Sequence, residues 1–130
     1  MIFDLDGVLC NNGKVISPVA DIFKKFGGSI GSIWGPQIWC GRCESMRDDT
    51  IDWLVNKLDC FLDDEWRACN SILKMKPFGS TVPNHVIKEH WLDNAIYNGK
   101  TIEFVFDCCD KSIEMWRRRG VFVFNCSQNT

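Results

Sequence analysis

The chain has 130 residues, of which 45% are hydrophobic, and its formal net charge is -2 at pH 7. This size suits one compact domain, residues 1–130, with a buried core. Acidic and basic residues are mixed along the chain, which argues against a strongly basic nucleic-acid-binding surface. No apolar run approaches the roughly 20 residues that cross a bilayer, so we expect no membrane partner.

Eight cysteines are a high count for a chain of this length. A secretory signal would begin with basic residues, whereas this chain begins with apolar residues and two carboxylates. We therefore expect reduced thiols in a cytoplasmic compartment rather than a disulfide framework. Most of these thiols are expected to be small buried residues.

The first half of the chain alternates between strand and helix patterns. Residues 1–6 predict a strand and 7–13 a loop, and Ser17-Pro18 predicts the start of a helix that stops at Gly27-Gly28. Residues 37–40 predict a short strand that turns at Gly41-Arg42. Residues 44–58 have the apolar spacing of an amphipathic helix. The segments 29–36 and 60–70 give no clear assignment.

The second half continues the same alternation. It predicts a strand at 72–76, a helix at 85–96, a strand from 101 that ends at Asp107, a helix at 111–119 closed by Gly120, and a last buried strand at 121–124. Strands that alternate with helices indicate a parallel sheet covered on both faces. The expected fold class is therefore α/β, a three-layer α/β/α Rossmann-like domain.

Polar residues follow several of the predicted strands, and ligands of such sheets bind at the carboxyl ends of the strands. Asp4 and Asp6 follow the first strand, Arg42 follows the second, and Asp107 with Asp110 follows a later one. Two carboxylates held together are costly unless a cation neutralises them. The Asp4–Asp6 pair therefore predicts a site for a hard cation such as Mg²⁺, with one carboxylate free to act as a nucleophile.

These residues resemble the motifs of the haloacid dehalogenase (HAD)-like phosphohydrolase superfamily, and within it the phosphatase domain of phage-type polynucleotide kinase/phosphatases. The quoted stretches are Asp4-Leu5-Asp6-Gly7, Cys40-Gly41-Arg42-Cys43-Glu44, residues 75–88 ending at Lys88, Phe106-Asp107, and Glu114-Met115-Trp116-Arg117. The resemblance spans nearly the whole chain. Residues between the motifs are largely used by core elements, so we expect a domain without a cap and with an open site.

The resemblance implies Mg²⁺-dependent phosphomonoester hydrolysis through an aspartyl-phosphate. Asp4 would be the nucleophile and Asp6 the general acid and base, while Lys88 and Arg42 would stabilise the phosphoryl charge. The implied substrate-binding residues are Cys40, Gly41 and Arg47, and the implied metal ligands are Asp4, Asp6, Asp107 and Asp110. The implied substrate is a nucleic-acid 3′-phosphate end or a nucleotide. No phosphate-binding P-loop is present, so the sequence supports no kinase activity.

Three positions depart from the pattern of that family. Cys40 stands where the family has a hydroxyl residue, Asn84 where it has an aspartate, and Cys108 where it has a second carboxylate. A thiol is a weak hydrogen-bond donor to phosphate. The alternative to an active enzyme is therefore a catalytically weak binding or regulatory module that keeps the phosphate pocket.

Cys40-Gly41-Arg42-Cys43 is also a C-x-x-C sequence at a predicted strand-to-helix turn. A helix N-terminus lowers thiol pKa values, which allows a redox role, and Cys108 with Cys109 could complete a four-sulfur zinc site. Adjacent cysteines are awkward ligands of one tetrahedral ion, and a second C-x-x-C is absent. The redox or zinc interpretation is therefore the minority one.

Overall fold

A computed structural model of the chain describes residues 1–26, 35–58 and 72–127. The strands in chain order are β1 (Ile2–Phe3), β2 (Cys10–Asn11), β3 (Lys14–Val15), β4 (Gln37–Cys43), β5 (Leu73–Lys76), β6 (Val105–Asp107) and β7 (Val123–Asn125). Five of them form a parallel sheet in the order β5-β4-β1-β6-β7. The other two, β2 and β3, pair as an antiparallel hairpin.

Four α-helices lie among the described residues that connect these strands. They are α1 (Ser17–Lys25), α2 (Arg47–Leu58), α3 (Asn84–Tyr97) and α4 (Asp110–Arg118), with a short 3₁₀ turn (Glu44–Met46) directly before α2. None of the described helices is long and apolar enough to cross a membrane. The described part of the connection from β1 to β4 consists of the hairpin and α1, so these residues add no cap domain.

Two hydrophobic clusters cover the two faces of the sheet. One contains Phe3 together with residues of α1 and α2, and the other contains Ile2 together with residues of α3 and α4. Consecutive residues of a strand point to opposite faces, so β1 alone contributes to both clusters. Aromatic contacts fill each side, with Phe3 edge-on to Phe23 and Trp39 tilted against Trp116. This arrangement confirms the predicted three-layer α/β fold with a parallel sheet.

The predicted elements are confirmed in type, with shifted boundaries. Helix α1 begins at Ser17, but its N-cap is Ile16 and no side chain caps it. The strands at 1–6 and 101–106 are reduced to two and three paired residues. Gly120 follows the end of α4 with φ of +75°, the left-handed conformation expected after a helix end. Gly27-Gly28, the predicted end of α1, and the unassigned segment 60–70 lie outside the described residues.

Two predicted connections are wrong in conformation. The predicted loop 7–13 includes β2 and the turn of the β2–β3 hairpin, and the turn residues Asn12 and Gly13 have positive φ values. The predicted turn at Gly41-Arg42 lies inside β4, which continues to Cys43. Strand β4 stays in the sheet because β5 pairs with it past a register shift.

The last strand is less buried than its apolar sequence predicts. Val123 is buried, but Phe122 and Phe124 are 63% and 45% exposed. In the sheet order, β7 lies at an edge, so one of its sides has no neighbouring strand. Phe124 stacks on Phe106, so this part of the apolar run is partly rather than fully buried.

Candidate active site

Two carboxylates meet at the carboxyl edge of the sheet. Asp4 directly follows β1 and Asp107 is the last residue of β6, and these strands are parallel neighbours. The Asp4 amide donates to the Phe106 carbonyl at 2.9 Å, which extends the pairing by one residue. Asp4 is 9% exposed and Asp107 is fully buried. The topology therefore brings together two acidic residues that are far apart in the sequence.

One buried lysine lies between the two carboxylates. Lys88 comes from the first half of α3 and is 2% exposed. Its Nζ lies 3.0 Å from Asp107 Oδ2, to which it donates, and 3.4 Å from Asp4 Oδ2. The sequence analysis predicted Lys88 as a site residue, and the structure brings it to Asp4 and Asp107. The three groups together carry one more negative than positive charge when both carboxylates are ionised.

The surroundings separate the pKa values of the two acids. Burial, which outweighs the attraction of Lys88, raises the pKa of Asp4 to about 7. Burial also opposes ionisation of Asp107, but Lys88 and a hydrogen bond from Trp116 prevail and lower the pKa of that carboxyl. Burial of Lys88 is likewise outweighed by Asp4 and Asp107, so the pKa of Lys88 is raised. Asp107 and Lys88 therefore favour their charged forms. Asp4 favours its protonated form, and additional positive charge nearby would favour its ionisation.

Asp107 is held by four donors in all. Trp116 Nε1 donates to Oδ2 at 3.0 Å, the same oxygen that Lys88 contacts. The amides of Cys108 and Cys109 donate to Oδ1 at 2.8 and 3.2 Å. The sequence analysis assigned no site role to Trp116 and missed this contact. A buried indole nitrogen needs a hydrogen-bond acceptor, so the tryptophan in the helix after Asp107 could have indicated this contact.

Asp6 faces a different group from Asp4. Its side chain is 58% exposed, and both of its oxygens accept from Arg42, Oδ2 from Nε at 2.9 Å and Oδ1 from Nη2 at 2.7 Å. The remaining terminal nitrogen, Nη1, donates to Thr50 Oγ1 at 3.1 Å. Thr50 is fully buried on α2 and was not predicted as a site residue. Arg42 is thus fixed on two sides, and it orients the carboxylate of Asp6.

Gly41 lies against Asn84, the first residue of α3. A Cβ atom at Gly41 would overlap the side-chain amide of Asn84. Cys40 is fully buried, and burial raises the pKa of its thiol to about 11. The candidate substrate-binding residues Cys40 and Gly41 therefore lie at the same sheet edge as Arg42, and Gly41 supplies close packing rather than a functional side chain.

Replacing Gly41 by alanine is expected to destabilise the protein by about 0.5–1 kcal/mol, because the added methyl displaces the exposed side-chain amide of Asn84 at the start of α3. Urea unfolding of wild type and variant measures the loss. The double variant Gly41→Ala/Asn84→Ala provides the control, because it removes the overlapping amide and should recover most of the lost stability. Equal instability of the single and double variants would contradict this account.

Arg47 lies apart from the carboxylate cluster. Its guanidinium pairs with Glu44 at 2.6 Å and donates to the Leu73 carbonyl of β5 at 3.0 Å. These contacts connect the start of α2 to the edge strand of the sheet. The structure therefore shows Arg47 packed between the start of α2 and β5, and its role in substrate binding stays a prediction.

A third possible metal donor beside the two carboxylates is a thiol. Among the described residues, the only group of three acidic, cysteine or histidine ligand atoms within 4.8 Å of one another comes from Asp4, Asp107 and Cys108. Asp110, predicted as a metal ligand, is exposed in the first turn of α4 and is not in this group.

The four-sulfur site considered from the sequence does not form among residues 1–26, 35–58 and 72–127, since no group there joins Cys40, Cys43, Cys108 and Cys109. The described cysteines are all free thiols, namely Cys10, Cys40, Cys43, Cys108, Cys109 and Cys126. Cys60 and Cys69 lie outside the described residues. The C-x-x-C sequence lies in β4, and its second cysteine, Cys43, is the N-cap of the 3₁₀ turn before α2. Hydrogen bonds with Ser45 lower the pKa of the Cys43 thiol.

Comparisons with known proteins agree with the observed fold and site. An α/β sheet with paired aspartates and a buried lysine at its carboxyl edge is the arrangement of a HAD-like phosphatase domain. Residues 35–130 match the family described as "Polynucleotide kinase PNKP phosphatase domain". The chain therefore belongs to the PNKP phosphatase domain family. A search of curated proteins found no significant match to the sequence.

Solved structures with the same fold come from RNA repair assemblies. A chain of the "Structure of the Pnkp1/Rnl/Hen1 RNA repair complex" aligns with a TM-score of 0.70 and 22% identity, over 95% of this chain and 40% of that chain. A chain of the "Structure of Pnkp1/Rnl/Hen1 complex" gives 0.74 and 21%, over 98% and 44%. The present chain thus spans less than half the length of these neighbours. At this identity the likeness establishes the fold.

Proposed function

We propose that this chain is a Mg²⁺-dependent phosphomonoester hydrolase that acts through an aspartyl-phosphate on Asp4. The observation that carries the proposal is the buried cluster of Asp4, Lys88 and Asp107 at the carboxyl edge of the sheet. Family membership supports phosphatase chemistry. The geometry supports Asp4 as the reacting carboxylate, because Asp107 accepts from four donors, whereas Asp4 accepts from the Leu5 amide and faces Lys88.

The proposed reaction has two displacements. A carboxylate oxygen of Asp4 attacks the phosphorus, and the bond to the leaving oxygen breaks while Asp6 gives that oxygen a proton. Asp6 then takes a proton from a water molecule, which attacks the phosphorus and releases inorganic phosphate and free Asp4. Lys88 stabilises the negative charge on the phosphoryl oxygens in both steps. Asp6 suits the proton transfers because it is exposed at the mouth of the site.

The donor set fits a hard divalent cation. Asp4 and Asp107 supply carboxylate oxygens and the Asp6 backbone carbonyl supplies a third oxygen, which are the ligands that Mg²⁺ prefers. One lysine between two ionised carboxylates leaves one negative charge unbalanced. Burial raises the pKa of Asp4, so a bound cation would favour its ionised form. When bound, Mg²⁺ would screen the repulsion between the Asp4 carboxylate and the phosphate.

Nucleic-acid 3′-phosphate ends are the proposed substrate class. The described residues between the motifs form core elements and a short hairpin, which leaves the site open to a bulky phosphomonoester. The structural neighbours are named as parts of an RNA repair complex, which supports a nucleic-acid end over a free metabolite. Free nucleoside monophosphates are the second substrate class, with the same chemistry at Asp4.

Phosphate release from a 3′-phosphorylated oligonucleotide, from nucleoside 3′-monophosphates and from p-nitrophenyl phosphate tests this proposal, each with Mg²⁺ and with EDTA. We expect Mg²⁺-dependent turnover of all three and the highest kcat/KM for the oligonucleotide. A higher kcat/KM for the monophosphates would move the substrate to the second class. Binding of the oligonucleotide without turnover of any substrate would identify a phosphate-binding module instead.

Replacing Arg42 by lysine is expected to lower kcat on a nucleoside 3′-phosphate by about 10- to 100-fold, because a lysine cannot hold both oxygens of Asp6. p-Nitrophenolate leaves without a proton, so hydrolysis of p-nitrophenyl phosphate should fall much less in its first step. The ratio of the two rates therefore measures the loss of proton transfer by Asp6.

The matched control for Arg42→Lys is Arg118→Lys, which alters an exposed arginine paired with Glu89 on the outer side of α3. The Arg118→Lys variant should hydrolyse the nucleoside 3′-phosphate and p-nitrophenyl phosphate at the wild-type rates. An equal loss on both substrates in Arg42→Lys would show that Arg42 acts on the phosphate or on stability, and would contradict a role in orienting Asp6.

A further inference from the structure

We propose that Cys108 is a third ligand of the Asp4–Asp107 cation site, and that this sulfur makes the site bind thiophilic divalent ions such as Zn²⁺ and Cd²⁺ in strong preference to Mg²⁺. The inference deepens the proposed function, since it concerns the cation site on which that function rests. It names the residue that sets the metal preference of the site.

The distances support three donors on one ion. One ligand atom each from Asp4, Asp107 and Cys108 lies within 4.8 Å of the other two. Zinc binds thiolate sulfur at about 2.3 Å and carboxylate oxygen at about 2.0–2.2 Å, so its donors lie about 3–4 Å apart. The observed cluster therefore needs only small side-chain adjustments to close around an ion.

The sulfur is held at this place by its neighbours. The Cys108 amide donates to Asp107 Oδ1 at 2.8 Å, and its Sγ donates to the Asp6 carbonyl at 3.3 Å. Gly7 allows this approach, because a Cβ atom there would overlap the Cys108 sulfur. Gly7 also has a φ of +84°, which any larger residue would adopt at a cost. The turn after Asp6 thus leaves room for a sulfur on the cation site.

The same hydrogen bond places the thiol in competition with a hard ion. The Asp6 carbonyl is the third oxygen available to Mg²⁺, and the Cys108 thiol already occupies it as a donor. Mg²⁺ would share this oxygen with the thiol donor and gain only a soft sulfur neighbour, whereas Zn²⁺ or Cd²⁺ would gain a strong ligand. Cys108 is half-buried, so its sulfur is accessible from the open side of the site.

Titration of the full chain with Cd²⁺ tests the proposal without any activity measurement, because a cadmium–thiolate bond produces a charge-transfer absorption in the ultraviolet. We expect a tight Cd²⁺ site with this absorption in the wild type. The variants Cys108→Ser and Asp107→Asn should each weaken it by about tenfold or more. Cys109→Ser is the matched control, since Cys109 is the exposed neighbouring thiol outside the cluster, and it should keep the tight site.

A second variant, Cys108→Asp, makes the site all-oxygen and tests the preference directly. Calorimetric titrations should show weaker Cd²⁺ binding and equal or tighter Mg²⁺ binding, so the ratio of the two affinities falls by about tenfold or more. Circular dichroism checks that each variant is folded. An absorption that survives in Cys108→Ser, or an unchanged affinity ratio in Cys108→Asp, would overturn the proposal. Phosphatase activity of the wild type with Mg²⁺ is measured separately, so failure of the proposed function is distinguished from failure of this one.

Discussion

Replacing Asp4 by asparagine is expected to lower phosphomonoester hydrolysis by on the order of 10⁴-fold or more. An amide cannot attack phosphorus, and no other described carboxylate of the site can take its place, since Asp107 is held by four donors and Asp6 by both arms of Arg42. Steady-state release of phosphate from a 3′-phosphorylated oligonucleotide and from p-nitrophenyl phosphate measures the loss. The loss should be in kcat, because the covalent step itself is removed.

The control for Asp4→Asn is Asp21→Asn, which changes an exposed acid on α1 and should leave kcat unchanged. Rapid quenching of the wild type during turnover of a ³²P-labelled substrate should trap label on the protein, and the Asp4→Asn variant should trap none. Hydrolysis by Asp4→Asn at more than a tenth of the wild-type rate would rule out Asp4 as the nucleophile.

Although Asp4→Asn is expected to lower activity, it is expected to raise the stability of the protein when no divalent cation is present. The folded pKa of Asp4, about 7, lies above its unfolded value of 3.8, so its contribution is fully present below pH 3.8 and is lost as the pH rises through 7. The asparagine side chain of the variant has no charge to bury. At pH 8 in EDTA, Asp4→Asn is therefore expected to be more stable than wild type, by on the order of 2–4 kcal/mol.

Urea unfolding at several pH values between 4 and 8 measures this effect, and the difference between wild type and Asp4→Asn should grow as the pH rises. Mg²⁺ should reduce the difference at pH 8, since it stabilises the ionised carboxylate of the wild type. A difference that does not change with pH would show that Asp4 ionises as easily in the folded chain as in the unfolded one.

Replacing Lys88 by methionine is expected to cause the second large effect, a loss of about 3–5 kcal/mol in the free energy of unfolding at pH 8. The lysine is 2% exposed and contacts both Asp4 and Asp107, so its removal leaves two buried carboxylates without their shared partner. Activity should fall by about 10²–10³-fold, because the charge that stabilises the transferring phosphoryl group is lost. Urea unfolding and steady-state kinetics measure the two losses.

Lys111→Met is the matched control, because Lys111 is exposed on α4. It should change neither stability nor kcat. The instability of Lys88→Met should lessen as the pH falls through 7, where Asp4 takes up a proton and the repulsion with Asp107 falls. A Lys88→Met protein as stable as the Lys111→Met control at pH 8 would contradict the charge balance derived from the site.

Much of the layer architecture was predictable because it depends on local patterns. Alternating strand and helix segments define a parallel α/β sheet, and Gly120 marks the end of α4 by its conformational freedom. Pairing along the sheet is a non-local property, and the sequence carried less information on it. Strand β4 extends through the predicted turn at Gly41-Arg42 because β5 pairs with it, and the run around Phe122 is exposed because β7 lies at an edge.

The acidic residues at the ends of β1 and β6 could be predicted because residue type and position at a strand end carry the chemistry. Lys88 lies within a helix, and its prediction rested on the resemblance to the HAD-like family. What surrounds these residues could not be predicted. The indole contact of Trp116, the support of Arg42 by Thr50 and the overlap at Gly41 depend on distances between elements far apart in the chain. Asp110 was predicted as a metal ligand, but it is exposed in the first turn of α4, and among the described residues it is Cys108 that lies beside the two carboxylates.

Periodicity and residue type are local properties, so the fold class and the candidates Asp4, Asp6 and Asp107 followed from the amino-acid sequence. Lys88 followed from the resemblance of the sequence motifs to the HAD-like family. How these groups share their charges depended on the folded arrangement. In the folded chain, Lys88 contacts both buried carboxylates, and Arg42 pairs with Asp6. The sulfur of Cys108 lies beside the two carboxylates, where the sequence predicted a carboxylate oxygen of Asp110. Burial and distance set pKa values and metal preference, and neither exists until the chain is folded.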